Sequence, residues 1–397
     1  MSADRLECPE CFPAPSRRPD VLFLVGEHSA DQQAARMVRD WKKKRPETLV
    51  CAWGGPALAK EGAELIYDFT QASVVGLVEV LRNAAYFRTM MSKVVAWIEE
   101  HQPRVVCLVD YPGFNLRLAD QLKKRKLSRQ GGGEIRLVYY IAPQVWAWKK
   151  KRRFSMARLL DALAVIFPFE TEVFADTELK AEFVGHPFLG EPEENTPTYD
   201  AEGPVLLLPG SRRQAVRRIL PLLLRGYAHL LKTGTSRKGV IIYPDEEVRT
   251  EGENLLAAKE FESLRDHLVW QSKQDPIRGA AVLTSSGTMS LHCALAGIPG
   301  AIVYRAHPIT YWIGRMVISI PYLGINNLLL KEPMYPEFIQ GAAHPAKLGK
   351  RLEQCLSDEE TIEQTRQHRE RLIELLQADA QADAASWLDT QWQLGKS

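Results

Sequence analysis

Short apolar runs alternate with helix-patterned segments along this chain, and four of the runs end in polar turns. The turns are Gly26-Glu27-His28-Ser29-Ala30-Asp31, Ala142-Pro143-Gln144-Val145-Trp146-Ala147-Trp148, Leu208-Pro209-Gly210-Ser211-Arg212 and Ser285-Ser286-Gly287-Thr288. The first, third and fourth stand just before a helical pattern. A short run without polar alternation reads as a strand buried on both faces, and parallel strands need crossover helices between them. Strand, tight turn and helix start also leave backbone N–H groups aimed over the strand end, a recurrent way to hold an anion or a sugar nucleotide. Such turns in both halves predict two lobes facing one cleft.

At 397 residues the chain is too long for one ordinary core. Residues 1–20 read as a loosely held tail. In the first lobe, 21–190, strands are expected at Val21–Val25, Leu49–Trp53, Val105–Val109, Arg136–Ile141, Ala162–Ile166 and Glu182–Val184. Helices are expected at Asp31–Arg45 and Asn115–Lys126, with a bent helical region over 77–99. The segment Leu189–Pro204, rich in Glu, Pro, Asn and Gly, reads as a linker. The alternation restarts at Val205 and runs to about 345. It gives a second lobe of the same α/β, doubly wound, Rossmann-like kind, followed by charged C-terminal helices over 346–397.

The composition, 45% hydrophobic and 25% charged, is that of a globular protein, and a net charge of +2 argues against general nucleic-acid binding. The basic residues are nonetheless clustered. Lys42–Arg45 and Lys123–Lys126 read as solvated helix ends. Lys149–Arg153 adjoins two tryptophans and suits an anionic partner. Cys8 and Cys11 form a C-x-x-C without the second pair that zinc would need, and Cys107 and Cys293 read as core thiols. No apolar leader or membrane-length run is present, so the expected location is the cytoplasm or a membrane surface.

Chemistry is expected at the strand ends. Asp110 is the first polar residue after Val105–Val109, placed to act as general base or to orient a hydroxyl. Glu27 projects from the end of the first strand, where capping is a poor explanation. Arg212 follows Pro-Gly-Ser and opens a helix, combining backbone donors, a hydroxyl and a guanidinium fork as phosphate recognition requires. Ser286-Gly287-Thr288 repeats that logic one strand later. The apolar stretch 74–91, with Leu81 and Phe87, is read in two ways: core packing, or a patch for acyl chains and bilayer with Arg82 and Arg88 meeting phosphates.

Taken together these segments resemble lipid-A-disaccharide synthases, glycosyltransferases of GT-B fold, from about residue 20 to 345. The resemblance is carried by Gly26–Asp31, by Asp110-Tyr111-Pro112-Gly113-Phe114-Asn115, and by Pro143–Trp148 with its basic continuation. It is carried further by Phe167-Pro168-Phe169-Glu170, Phe183–Pro187, Leu208–Arg212, Ser286–Thr288, Asn326–Leu329 and Pro336–Gln340. Three positions depart from the family pattern. Ala30 replaces a glycine, and Ala215 and His292 each replace a glutamate. In GT-B enzymes a glutamate at the last place holds the donor's ribose hydroxyls, and a neutral histidine lacks its two acceptor oxygens.

The resemblance implies an inverting transfer from UDP-2,3-diacylglucosamine to 2,3-diacylglucosamine 1-phosphate, giving lipid A disaccharide 1-phosphate and UDP. It implies Asp110 and Glu27 as catalytic residues, and Ser211, Arg212, Ser286, Gly287, Thr288 and Asn327 as the nucleotide and diphosphate site. Ser29, Asn115, Trp146, Trp148, Leu81 and Phe87 would serve acceptor and lipid. It implies neither metal nor cofactor, peripheral attachment to the cytoplasmic face of the inner membrane, and C-terminal helices that pack back or are exchanged in a homodimer. Two alternatives share these residues: another UDP-sugar transferase or epimerase of the same fold, and a divergent paralogue that binds lipid or sugar nucleotide without this activity.

Overall fold

The computed structural model describes residues 8–70, 84–189, 195–307, 311, 320–377 and 383–396. The chain divides into two units, one of Met1–Pro187 with Leu376–Ser397, the other of Phe188–Leu375.

The first unit is built on a seven-stranded parallel sheet of order β3-β2-β1-β4-β5-β6-β7. The strands are β1 (Val21–Val25), β2 (Val50–Gly54), β3 (Glu64–Asp68), β4 (Val105–Val109), β5 (Arg136–Tyr140), β6 (Ala162–Val165) and β7 (Ala181–Phe183). Every residue of β1 and β4 is fully buried, as unalternated apolar runs require. Its helices are α1 (His28–Lys44), α2 (Pro56–Lys60), α3 (Ala84–His101), α4 (Pro112–Lys124), α5 (Arg152–Ala157) and α6 (Glu170–Val173). α1 buries Ala30, Ala34, Met37, Val38 and Trp41, the inward stripe of a 3.6-residue period. Its basic end is a helix terminus, where Lys42 Nζ donates to Gly62 O at 2.6 Å. Strand order reverses beside β1: β2 and β3 follow on one side, and β4 lies on the other.

The second unit has a six-stranded parallel sheet of order β11-β10-β9-β13-β14-β15. These are β9 (Val205–Leu208), β10 (Gly239–Tyr243), β11 (Leu268–Ser272), β13 (Ala281–Thr284), β14 (Gly300–Tyr304) and β15 (Glu337–Ile339). A short pair, β8 (Thr198–Tyr199) and β12 (Arg278–Gly279), draws the second half of the expected linker into this unit. The helices are α7 (Arg213–Leu231), α8 (Glu246–Leu256), α9 (Thr288–Leu295), α10 (Ile325–Leu330), α11 (Pro345–Ser357) and α12 (Glu359–Gln377). Here the reversal lies between β9 and β13.

Two parts of the chain differ from expectation. From Cys8 onward the supposed tail is packed. The Phe12 ring lies 4.3 Å from that of Trp53, and Trp97 Nε1 donates to Pro13 O at 2.9 Å. One aromatic anchor and a satisfied indole hold a segment whose composition alone reads as loose. The C-terminal helices also do not act as one block: α11 and α12 belong to the second unit, whereas α13 (Ala384–Lys396) completes the first. Trp392 Nε1 donates to buried Asp20 at 3.0 Å, Trp41 Nε1 to Asp389 at 3.0 Å, and Arg45 pairs with Asp389 at 2.9 Å. The Arg45 guanidinium holds the Asp389 carboxyl down at about 2. No described helix is long and apolar enough to cross a membrane.

Candidate active site

The reversal beside β1 brings two carboxylates together. Val25 pairs with Val109, so Glu27 and Asp110 follow adjacent strand ends. Asp110 and Tyr111 are both left-handed, with φ of 43° and 48°, a strained turn that the surroundings must hold. The Asn115 amide donates to the carbonyls of Asp110 at 2.8 Å and Val109 at 3.2 Å, and the Tyr139 hydroxyl also donates to Asp110 O. The Tyr111 ring lies over Gly26, where a Cβ would come within 2.5 Å of it. Burial pushes the Asp110 carboxyl up to about 6, and the neighbouring Glu27 charge pushes the same way. Glu27 starts α1 without capping it through its side chain. His28 and Ser29 are exposed in the first turn. Asp31 is structural: its carboxylate accepts from Gly55 N at 2.8 Å and Ala57 N at 2.9 Å, capping α2.

Asn115, expected to contact the acceptor, is 1% exposed, and its amide donors face main-chain carbonyls. It clamps the Asp110 turn. Phe87 is half-buried: its ring packs against the core 5.3 Å from Tyr86, and part of it remains exposed. Leu81 and residues 71–83 lie outside the described residues.

The turn after β5 alternates inward and outward. Pro143, Val145 and Ala147 are buried, and Trp148 is 45% exposed. Lys149 Nζ stands 4.4 Å and Arg152 Cζ 5.7 Å from the Trp148 ring centre. Phe154 is exposed beside Arg153, which pairs with Asp176. Trp146 is half-buried, and its Nε1 donates to Glu170 at 3.0 Å.

In the second unit, Leu208 pairs with Thr284, so the Pro209–Arg212 and Ser285–Thr288 turns are neighbours at the second reversal. Gly210 has φ 108°, and a Cβ there would stand 3.2 Å from Ser285 Oγ. Ser211 and Arg212 are exposed, and Arg212 occupies the N-cap of α7. Arg213 and Arg217 are committed to Glu251, at 3.2 and 2.6 Å, while Arg212 forms no ion pair among the described residues. Gly287 N-caps α9 with open space above it, Thr288 is exposed and Ser286 half-buried. His292, one turn on, lies with its ring centre 3.5 Å from that of Phe188. Asn327, expected at the diphosphate, is fully buried. It donates to Tyr335 O at 2.7 Å and Glu337 at 2.9 Å, and accepts from Tyr335 N at 2.9 Å. It braces β15 against α10. Glu170, Glu251 and Glu337 were missed as site-shaping residues. The sequence signal for Glu170 was a carboxylate directly after the Phe167-Pro168-Phe169 turn that follows β6.

The profile of the lipid-A-disaccharide synthetase family matches residues 21–390. The lipid-A-disaccharide synthase of Nitrosococcus oceani is 32% identical over 353 residues, covering 86% of this chain and 88% of its own. That of Myxococcus xanthus is 31% identical over 345 residues, covering 84% and 87%. Among solved structures, a kitacinnamycin glycosyltransferase superposes with a TM-score of 0.58 at 14% identity, covering 94% of this chain and all of that one. A Neisseria meningitidis UDP-GlcNAc 2-epimerase bound to UDP-GlcNAc gives 0.56 at 11%, covering 94% and 99%. At such identities these two likenesses concern the fold, which is GT-B. With a family match spanning both parallel sheets and every turn described above, the chain belongs to the lipid-A-disaccharide synthase family.

Proposed function

We propose that this chain joins UDP-2,3-diacylglucosamine to 2,3-diacylglucosamine 1-phosphate, forming lipid A disaccharide 1-phosphate and UDP. The observation that carries the reading is Asp110, a carboxylate on a strained turn at a strand-order reversal, with its pKa raised to about 6. A base of that strength is ionised at neutral pH yet basic enough to accept a proton as the reaction proceeds. The acceptor's 6-hydroxyl attacks the anomeric carbon as its proton passes to Asp110. The anomeric carbon–oxygen bond to the diphosphate breaks with inversion, and its electron pair leaves with UDP. Arg212 and the N–H groups of the Ser211 and Ser286–Thr288 turns receive the growing diphosphate charge, needing no metal. Trp148, Lys149 and Arg152 take the acceptor's sugar ring and phosphate. The same aromatic–basic face, with Phe154, rests on the anionic cytoplasmic surface of the inner membrane, where the substrates' acyl chains are anchored.

Incubation with both lipids, followed by mass spectrometry, tests this. A disaccharide phosphate and UDP in equal amounts are expected. No product across a range of acyl lengths, with UDP still bound, would favour the lipid- or nucleotide-binding paralogue, for which Ala215 and His292 speak.

A further inference from the structure

Glu170 is 1% exposed and has no cation among its partners in the described residues. A buried carboxylate without an ion pair is rare, because desolvation penalises its charge. Burial here pushes its pKa up to about 7. Both oxygens are engaged. Oε2 accepts from Phe167 N at 3.1 Å, within the turn after β6, and Oε1 accepts from Trp146 Nε1 at 3.0 Å, in the turn after β5. The Trp146 ring meets the edge of Phe169 at 5.2 Å, and Phe169 stacks on Phe167 at 5.8 Å. Glu170 therefore joins two adjacent strand-end turns through a pair of donors. Only a carboxylate suits two donors: a glutamine would turn its own NH₂ toward one of them, and an aspartate is one carbon short.

The geometry points to Glu170 as a positioning residue that, through Trp146, fixes the 142–149 turn and so sets the place of Trp148 and Lys149 against the acceptor. The turn is also held by its own main chain, from Ala147 N and Trp148 N to Gln144 O at 3.1 and 3.4 Å, and by Val145 in the core, but the Trp146–Glu170 bond is what ties it to the neighbouring turn. Val145 and Ala147 bury small side chains, Lys149 stands in the left-handed region at φ 56°, and Trp148 projects outward. Because the Trp146 indole joins this turn to the next strand end, loosening that bond reaches the residue two places on. The role assigned to Glu170 rests on the acceptor reading given above for Trp148.

The test is made on the full chain. Glu170→Gln is expected to raise the KM for the acceptor phosphate about fivefold or more, with kcat changed less than about threefold and UDP affinity unchanged. Trp146→Phe, which removes the same hydrogen bond and keeps an aromatic ring beside Phe169, is expected to reproduce this, and serves alone if the first variant does not fold. The double variant is expected to be no worse than the worse single one, as for two groups acting through one bond. Amide exchange across 142–149 should quicken in each variant. An unchanged acceptor KM, or effects that multiply in the double variant, would overturn the assignment. So would a lowered melting temperature with unchanged exchange in that turn. Exchange requires no turnover. An inactive parent chain would thus remove the transferase reading, while the Glu170–Trp146 link would still stand or fall on exchange.

Discussion

Asp110 is held in an unfavourable state for which folding alone has no use. Its backbone is left-handed, its carboxyl is poorly solvated, and Glu27 repels its charge. A carboxyl whose pKa is raised from 3.8 to about 6 by folding contributes stability that is complete below 3.8 and lost as pH rises through 6. Asp110→Asn should therefore raise the melting temperature at pH 8 while lowering turnover ~10²–10⁴-fold, the usual share of a general base. Both are read on one preparation, and retained turnover would make Asp110 structural. In the parent, kcat/KM should climb as pH rises through about 6. Glu27→Gln should move that limb to lower pH, because it removes a charge that opposes ionisation of Asp110. At the second reversal, Arg212→Ala should weaken UDP binding about tenfold or more by calorimetry, since a charge-assisted contact to phosphate is worth roughly 1.5–3 kcal/mol. Unchanged affinity would move the diphosphate elsewhere. His292→Glu should tighten UDP if the ribose lies one turn beyond Thr288. Looser binding would mean that the Phe188–His292 pair has its own ligand contact.

Among the elements, strands buried on both faces were legible, and of the edge strands only β7 was, expected at Glu182–Val184 and found at Ala181–Phe183. β1, β4 and β9 are unbroken apolar runs. β3 (Glu-Leu-Ile-Tyr-Asp), β11 (Leu-Val-Trp-Gln-Ser) and β15 (Glu-Phe-Ile) carry polar residues and are half-exposed, so no periodic signal separated them from loop. The polar strand-end residues were found readily, but the roles of the buried asparagines among them were not. A buried asparagine that clamps carbonyls, as Asn115 and Asn327 do, has the same local sequence as one that meets a ligand. Only packing distinguishes them. The same limit applies to Phe87, half of which packs beside Tyr86 against the core. Exposed apolar area is instead found at Trp148 and Phe154, flanked by Lys149–Arg153. The full chain should float with anionic vesicles and be released by salt, at ~1 kcal/mol per basic residue near the surface. Trp148→Ser with Phe154→Ser should reduce the salt-resistant fraction. If neither lever changes binding, this face does not meet the bilayer.

On the scale of the molecule, the first unit is closed by the other end of the chain. α13 brings Trp387 and Trp392 into its core, and Asp20 and Asp389 fasten it to β1 and α1. Trp392→Ala should destabilise that unit by ~3–5 kcal/mol, as large-to-small changes of buried aromatics do. Its urea transition should move while that of the second unit stays. A shift equal in both would mean that the units unfold as one. The discontinuity also orders events at the ribosome. Residues 188–375 form an uninterrupted unit and are all made before the last helix, so the second unit can finish folding during synthesis. The first, although most of it is translated earlier, must wait for α13 to leave the exit tunnel. Until then the apolar surface awaiting Trp387 and Trp392 stays open, and a nascent chain stalled before α13 emerges is the form that chaperones or proteases would meet.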